Sequence, residues 1–121
     1  DVNANSAAGL AQRLTHYFPR LDAHPGSNDA TGYDLVVNAT PLGRPGDSLP
    51  MDISRLTPET FVGEVVMKAE MTPLLQAAKA IGCRYQVGAD MLFEMIPAYL
   101  EFFGFGRTTT EELREVAQVA Y

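Results

Sequence analysis

The stretch that most constrains the fold is an apolar run that ends in a sharp turn of small and polar residues. Residues 33–43 have the sequence YDLVVNATPLG, in which Leu35, Val36 and Val37 form a run too short for a helix. Such a run, bounded by turn residues, is typical of a strand buried on both faces of a parallel sheet. Ligands of open α/β sheets bind outside the carboxyl ends of the strands, so residues 38–43 are predicted to lie beside a ligand. The local pattern alone also fits an ordinary strand and loop.

Strands and helices alternate along the rest of the chain. A helix is predicted over residues 6–18, capped by Asn5 or Ser6 and ended by Pro19, with a short strand over residues 20–23. The next elements are a strand over 61–67, a helix from Thr72 and Pro73 to a cap at Gly82, and a strand over 84–87. They are followed by a helix over 91–103, bent or offset at Pro97, and by a last helix after Thr108 with Leu113, Val116, Val119 and Ala120 on its apolar side. This alternation predicts a Rossmann-like α/β fold, a parallel sheet with flanking helices.

The predicted sheet lacks its first strand and glycine loop. No G-x-G-x-x-G turn is present in the sequence, and the strand that carries such a turn would precede Asp1. Without that strand, which is usually central, two sheet edges would be open, a state that proteins avoid. We therefore expect residues 1–121 to belong to a longer protein, or to pair with the missing part.

Composition excludes several classes of partner. The net charge of −6 argues against a nucleic-acid surface, and no apolar run of about 18 residues predicts a membrane span. Cys83 is the one cysteine, which fits a reducing, cytoplasmic compartment, and it is expected to be a small buried hydrophobe. His16 and His24 lack neighbours with metal-ligand spacing, so no metal is expected.

Three stretches of the chain resemble the shikimate and quinate dehydrogenases. They are YDLVVNATPLG, VGEVVMKAEMTPLLQAAKAIGC and GADMLFEM. In that family they correspond to the turn beside the nicotinamide cofactor, a strand with the helix behind it, and a helix start that meets both ligands. The resemblance covers nearly the whole chain. It implies that residues 1–121 are a partial NAD(P)-binding domain and that the amino-terminal substrate and catalytic domain is absent.

The resemblance also implies which residues bind the cofactor. They are Ala39, Thr40, Pro41 and Leu42 in the turn, Val65 near the nicotinamide, Gly88 through its backbone, and Asp1. A carboxylate at the end of the second strand accepts hydrogen bonds from the adenosine ribose of NAD. NADP-using members have asparagine-arginine-threonine where Asp1, Val2 and Asn3 stand here, so NAD is expected to be preferred over NADP. The alternative is that Asp1 merely flanks a helix near its amino-terminal dipole.

Two departures from the family pattern concern the substrate. Met67 stands where the family has a tyrosine, and Met95 stands where it has a glutamine that binds a substrate hydroxyl. Lys68 and Ala69 replace the asparagine-proline pair that commonly follows the tyrosine. The catalytic lysine and aspartate of the family belong to the other domain. No catalytic residue is therefore expected in this chain, and Lys68 and Lys79 are expected to be surface lysines.

The implied reaction is reversible hydride transfer between NAD(P) and a secondary alcohol of a cyclic hydroxy acid. The full-length protein would catalyse it, and the chain alone is expected to be inactive. Two alternatives stay open: a non-catalytic binding module of the same fold, which Met67 and Met95 favour, and a dehydrogenase for a less polar substrate. The expected partners are the small hydroxy acid, the missing domain and, as an alternative to a monomer, a second copy.

Overall fold

The computed structural model describes residue 1 and residues 3–117, which form four helices and three strands. The helices are α1 (Ala4–Tyr17), α2 (Pro73–Ile81), α3 (Gly88–Phe102) and α4 (Thr110–Val116). The strands are β1 (Leu35–Asn38), β2 (Phe61–Glu64) and β3 (Arg84–Gln86). Each predicted element from residue 33 onwards is present, although β2 and β3 end earlier than the sequence pattern indicates.

The three strands form one parallel sheet in the order β1-β2-β3. Leu35 is opposite Phe61, Asn38 is opposite Glu64, and Gly63 is opposite Gln86. The carboxyl ends of the strands therefore meet at one edge of the sheet, and the turns that follow them are neighbours. This arrangement confirms the predicted Rossmann-like α/β fold.

The core lies between one face of this sheet and α2. Val62 in the central strand is fully buried against Leu74, Leu75 and Ala78 of the helix. The side chain of Thr72 caps α2, a proline occupies its first turn, and Gly82 ends it, as the sequence predicts. The helix therefore starts directly behind the carboxyl end of β2.

The prediction that β1 is buried on both faces is wrong. Leu35 is 57% exposed and Val37 is 49% exposed, whereas Asn38 is buried. The physical reason is that successive side chains of a strand point to opposite faces of the sheet, and the core with α2 lies on only one of them. Val36 and Asn38 point to that face, whereas Leu35 and Val37 point to the other. Within the described residues, β1 also has no strand on its outer side.

The start of the chain also differs from the prediction. No strand is formed over residues 20–23 of the described chain, since a strand needs a hydrogen-bonded neighbour and none is in place there. Asn3 caps α1, not Asn5 or Ser6, and its side chain accepts a hydrogen bond from the backbone N–H of Ser6 at 3.1 Å. The helix buries Ala11 but leaves Tyr17 72% exposed.

The last two helices pack together after β3. Pro97 lies inside α3, and Thr109 and Glu112 form a capping box at the start of α4. Arg114 of α4 forms an ion pair with Asp90 of α3 at 2.6 Å. Val119 and Ala120, predicted on the apolar side of the last helix, lie outside the described residues. No helix within residues 1 and 3–117 has the length and apolar character needed to cross a bilayer.

Candidate functional site

A buried carboxylate joins the carboxyl ends of β1 and β2 to the start of α2. The side-chain nitrogen of Asn38 donates to both oxygens of Glu64, at 3.0 and 3.2 Å, and the Thr72 hydroxyl donates to Oε2 at 2.8 Å. The backbone N–H groups of Val65 and Val66 donate to Oε1, each at 3.0 Å. Asn38, Glu64 and Thr72 are all at least 97% buried. We call these three side chains the Glu64 network. Its hydrogen bonds offset the cost of burying a charge.

Asn38 shapes the turn that follows β1. Its side-chain nitrogen also donates to the carbonyl of Leu42 at 2.8 Å. Its side-chain oxygen accepts from the backbone N–H and the hydroxyl of Thr40, at 3.0 and 2.7 Å. These bonds leave Ala39 and Pro41 exposed at the crest of the turn, with Thr40 and Leu42 half-buried. The predicted cofactor turn is therefore folded around one asparagine side chain.

A second carboxylate closes the far end of this turn. The backbone N–H groups of Gly43 and Arg44 donate to Oδ2 of Asp47, at 3.0 and 2.8 Å. These hydrogen bonds, that of Gly43 first, lower the pKa of Asp47 below its ordinary value. The stability that these two hydrogen bonds contribute is therefore fully present at pH values above the ordinary carboxyl pKa. It is lost as the pH falls through the lowered pKa of Asp47.

Val66 lies between two glycines that belong to neighbouring turns. A Cβ on Gly43 would lie 2.8 Å from Cγ1 of Val66, and a Cβ on Gly88 would overlap the Val66 carbonyl oxygen and lie 2.9 Å from the carbonyl carbon. Both distances are below the normal contact of two carbon atoms. Glycine at both positions therefore lets the three turns after β1, β2 and β3 approach one another.

A cavity of about 610 Å³ runs along the open side of β1. Asp1, Val37, Asn38 and Thr40 line it, together with residues of the loop before the strand. The structure thus brings two predicted cofactor residues, Asp1 and Thr40, to one cavity. Asp1 is exposed, and its carboxylate accepts a hydrogen bond from the N–H of Asn3 at 2.8 Å. Val2 lies outside the described residues.

Of the two methionines predicted at the substrate, Met67 follows β2 and Met95 lies within α3. Met67 is exposed, and its Cγ would be 3.1 Å from a Cβ on Gly88. Met95 follows Gly88 by two helical turns and shares its face of α3, because about 3.6 residues make one turn. Met95 is half-buried, and its sulfur is 3.9 Å from the hydroxyl of Tyr99. Met67 is therefore beside the start of α3, whereas Met95 lies about 10 Å further along that helix.

The structure agrees with the sequence-based expectations for the single cysteine and for two lysines. Cys83 is buried, its Sγ lies 3.3 Å from the Thr57 carbonyl, and burial raises the pKa of its thiol. A raised pKa disfavours the nucleophilic thiolate. Lys68 and Lys79 are exposed. The part of the chain that the structure describes holds no group of three side chains suited to a metal ion.

The sequence interpretation does not identify Glu64 as a residue of the site, and it gives Thr72 only the role of starting α2. The signal for Glu64 was available, since a charged residue inside the apolar run FVGEVV needs a partner if that run is a buried strand. The partner could not be identified from the sequence, because the pairing of Asn38 with Glu64 depends on the register of two strands 26 residues apart.

Sequence comparison connects the chain to named proteins. The chain is 40% identical over 83 residues to a shikimate dehydrogenase (NADP(+)) from Jannaschia sp. (strain CCS1), a match that covers 67% of this chain and 30% of that protein. It is 33% identical to a shikimate dehydrogenase (NADP(+)) from Streptomyces avermitilis, over 99% of this chain and 44% of that protein. The chain belongs to the shikimate and quinate dehydrogenase family. No family model matches it.

Solved structures of two named proteins have the same fold as this chain. A quinate dehydrogenase from Corynebacterium glutamicum in complex with NAD superposes with a TM-score of 0.79 at 30% identity, over 95% of this chain and 43% of that one. A ligand-free 5-ketofructose reductase of Gluconobacter sp. strain CHM43 superposes with a TM-score of 0.74 at 25% identity, over 93% of this chain and 43% of that one. The chain spans less than half the length of these dehydrogenases and reductases.

Proposed function

We propose that residues 1–121 are the nucleotide-binding part of a longer NAD(P)-dependent oxidoreductase. The reaction is hydride transfer between the nicotinamide ring and a secondary alcohol of a cyclic hydroxy acid of the quinate and shikimate type. The cofactor supplies the redox chemistry, and this chain binds and orients it. The remaining residues of the longer protein supply the first strand, the glycine loop and the catalytic side chains.

The observation that carries this proposal is the meeting of three turns at the carboxyl edge of the sheet. The turn after β1 is held by Asn38, and Val66 fits between Gly43 and Gly88. Ligands of α/β sheets bind at this edge. The similarity to a quinate dehydrogenase in complex with NAD extends over 95% of the chain, which supports a nicotinamide dinucleotide as the ligand.

Asp1 favours NAD over NADP in this proposal. Its exposed carboxylate shares the β1 cavity with Thr40, where it would accept hydrogen bonds from the ribose hydroxyls. The extra phosphate of NADP carries a charge of about −1.5 to −2 and would be repelled by that carboxylate. We expect a preference of about tenfold for NAD.

Met67 and Met95 support a second candidate, a dehydrogenase for a less polar substrate. A site built to hydrogen-bond a hydroxyl discriminates strongly against substrates that lack it, whereas a thioether is a weak acceptor. The polyhydroxylated quinate and shikimate would then be poor substrates, although the cofactor and the reaction would be the same.

The test is an absorbance assay of NADH and NADPH with the longer protein, using quinate and shikimate. We expect turnover with NAD and none from the 121-residue chain alone. Turnover by the chain alone would contradict the proposal that the catalytic side chains lie in the rest of the longer protein. A folded longer protein that binds NAD but oxidises neither these acids nor less polar cyclic alcohols would instead be a non-catalytic module.

The same assay tests the cofactor preference with the double substitution Asp1→Asn and Val2→Arg. The substitution removes the repelling carboxylate and adds a basic side chain, so the ratio of kcat/KM for NAD to that for NADP should fall by about tenfold or more. If the unmodified protein already prefers NADP, the role given to Asp1 is wrong.

A further inference from the structure

We propose that Glu64 is a positioning residue that fixes the turns after β1 and β2 relative to each other for cofactor binding. The proposal rests on the function proposed above, because it concerns the same site. Glu64 is only 3% exposed to solvent and is not among the residues that line the β1 cavity. Its effect would pass entirely through the backbone and side chains that donate to it.

The first step is the chemistry of the acceptor. An ionised carboxylate only accepts hydrogen bonds, on both oxygens, and four groups of the chain donate to Glu64. They are the side chains of Asn38 and Thr72 and the backbone N–H groups of Val65 and Val66. A glutamine would place an NH₂ group against at least one of these donors, and a buried donor without an acceptor is costly.

The second step is the orientation of Asn38. Its side-chain nitrogen points both to Glu64 and to the carbonyl of Leu42, so its oxygen is left to accept from Thr40. If the carboxylate no longer accepts, the amide loses one of the contacts that fix which end is the donor, and it keeps those to Thr40 and Leu42. The side chain of Asn38 would then be held less firmly against β2, and the turn that it folds would be free to shift.

The third step connects the turn after β2. Oε1 of Glu64 accepts from two successive N–H groups, which determines the direction of the backbone at Val66. Val66 in turn packs against Gly43 and Gly88 and occupies the space that a side chain on either residue would need. A shift at Glu64 is therefore transmitted to all three turns, and misplaced binding groups weaken ligand binding strongly.

A purely stabilising role predicts a different outcome. Losing a buried hydrogen bond anywhere lowers the free energy of unfolding, but it leaves the affinity of the folded protein for its ligand unchanged. Thr60 supplies the matched control, since it is 5% exposed and its hydroxyl donates to the Tyr33 carbonyl at 3.2 Å. It precedes β2 at the opposite end of the sheet, about 13 Å along the strand from Glu64.

The experiment uses the longer protein and NAD as the probe, in variants Glu64→Gln, Thr72→Val, Thr72→Ser and Thr60→Val. Thermal unfolding gives the stability of each, and fluorescence titration at a temperature where all are folded gives the Kd for NAD. We expect Glu64→Gln and Thr72→Val to weaken NAD binding by about tenfold. Thr72→Ser, which keeps the hydroxyl, and Thr60→Val should bind within about twofold of the unmodified protein.

The outcomes distinguish failure of the positioning role of Glu64 from failure of the proposed function. If Glu64→Gln and Thr72→Val lose stability but bind NAD as tightly as Thr60→Val does, Glu64 is structural only and the positioning role is overturned. If Glu64→Gln does not fold, the comparison of Thr72→Val with Thr60→Val decides. An unmodified, folded protein that binds neither NAD nor NADP would overturn the proposed function itself, and this proposal with it.

Discussion

At the scale of single residues, Gly88 is the tightest constraint on the site. A Cβ there would meet the backbone of Val66, which is less able to move than the end of a side chain. We expect Gly88→Ala to lower the free energy of unfolding by about 1–3 kcal/mol and to weaken NAD binding. Urea unfolding and titration with NAD measure the two effects.

The control for this substitution is Gly9→Ala in α1. A Cβ at Gly9 would lie 3.6 Å from the Arg13 guanidinium, an ordinary contact, and alanine is the better helix former by about 1 kcal/mol. Gly9→Ala should therefore be neutral or stabilising and leave NAD binding unchanged. Equal unfolding free energies for the Gly88→Ala and unmodified proteins would contradict the close approach of α3 to the turn after β2.

Met67 and Met95 carry the prediction about substrate polarity. In the longer protein, Met67→Tyr combined with Met95→Gln restores a hydroxyl and an amide, so kcat/KM for shikimate should rise by about tenfold or more. The exposed lysine variant Lys79→Gln is the control and should change nothing. An unchanged kcat/KM in the double variant would remove both residues from the substrate site.

At the scale of elements, local signals account for what the sequence predicts well. The cap, first-turn proline and terminal glycine of α2 are encoded within Thr72, Pro73 and Gly82, and the structure has the helix between them. The start of α4 is encoded in the same way by Thr109 and Glu112. These signals act over three or four residues, so they can be interpreted without knowledge of the fold.

What depends on distant neighbours could not be predicted in the same way. The exposure of β1 and the absence of a strand over residues 20–23 both depend on which chain segment lies beside them, and an apolar run does not specify that. The Glu64 network has the same origin, because it needs the register of β1 against β2. The sequence predicts the turn at residues 38–43 at the carboxyl edge of the sheet, where it lies, but it does not identify Asn38 as the residue that folds the turn.

At the scale of the whole molecule, the open side of β1 is the feature that connects fold to function. Exposed Leu35 and Val37 and the adjoining cavity follow this strand, and the shikimate and quinate dehydrogenases that match are more than twice as long as the matched stretch. Exposed strand edges and apolar faces are usually covered in native proteins. We therefore propose that further residues of the longer protein pair with the open edge of β1, and that others cover the face that carries Leu35 and Val37.

Amide hydrogen exchange tests this covering. Alternate backbone amides of a parallel strand point to opposite sides, so about half of those in β1 point away from β2 and should exchange fast in the 121-residue chain. In the longer protein the same amides should be slowed by at least about a hundredfold, because a paired strand in a sheet opens only with a larger unit. Val62 in the central strand is the internal control, since it is fully buried and should be protected in both proteins. Equal exchange of the β1 amides in the two proteins would mean that this edge stays open in the longer protein, and the proposed pairing would then be wrong.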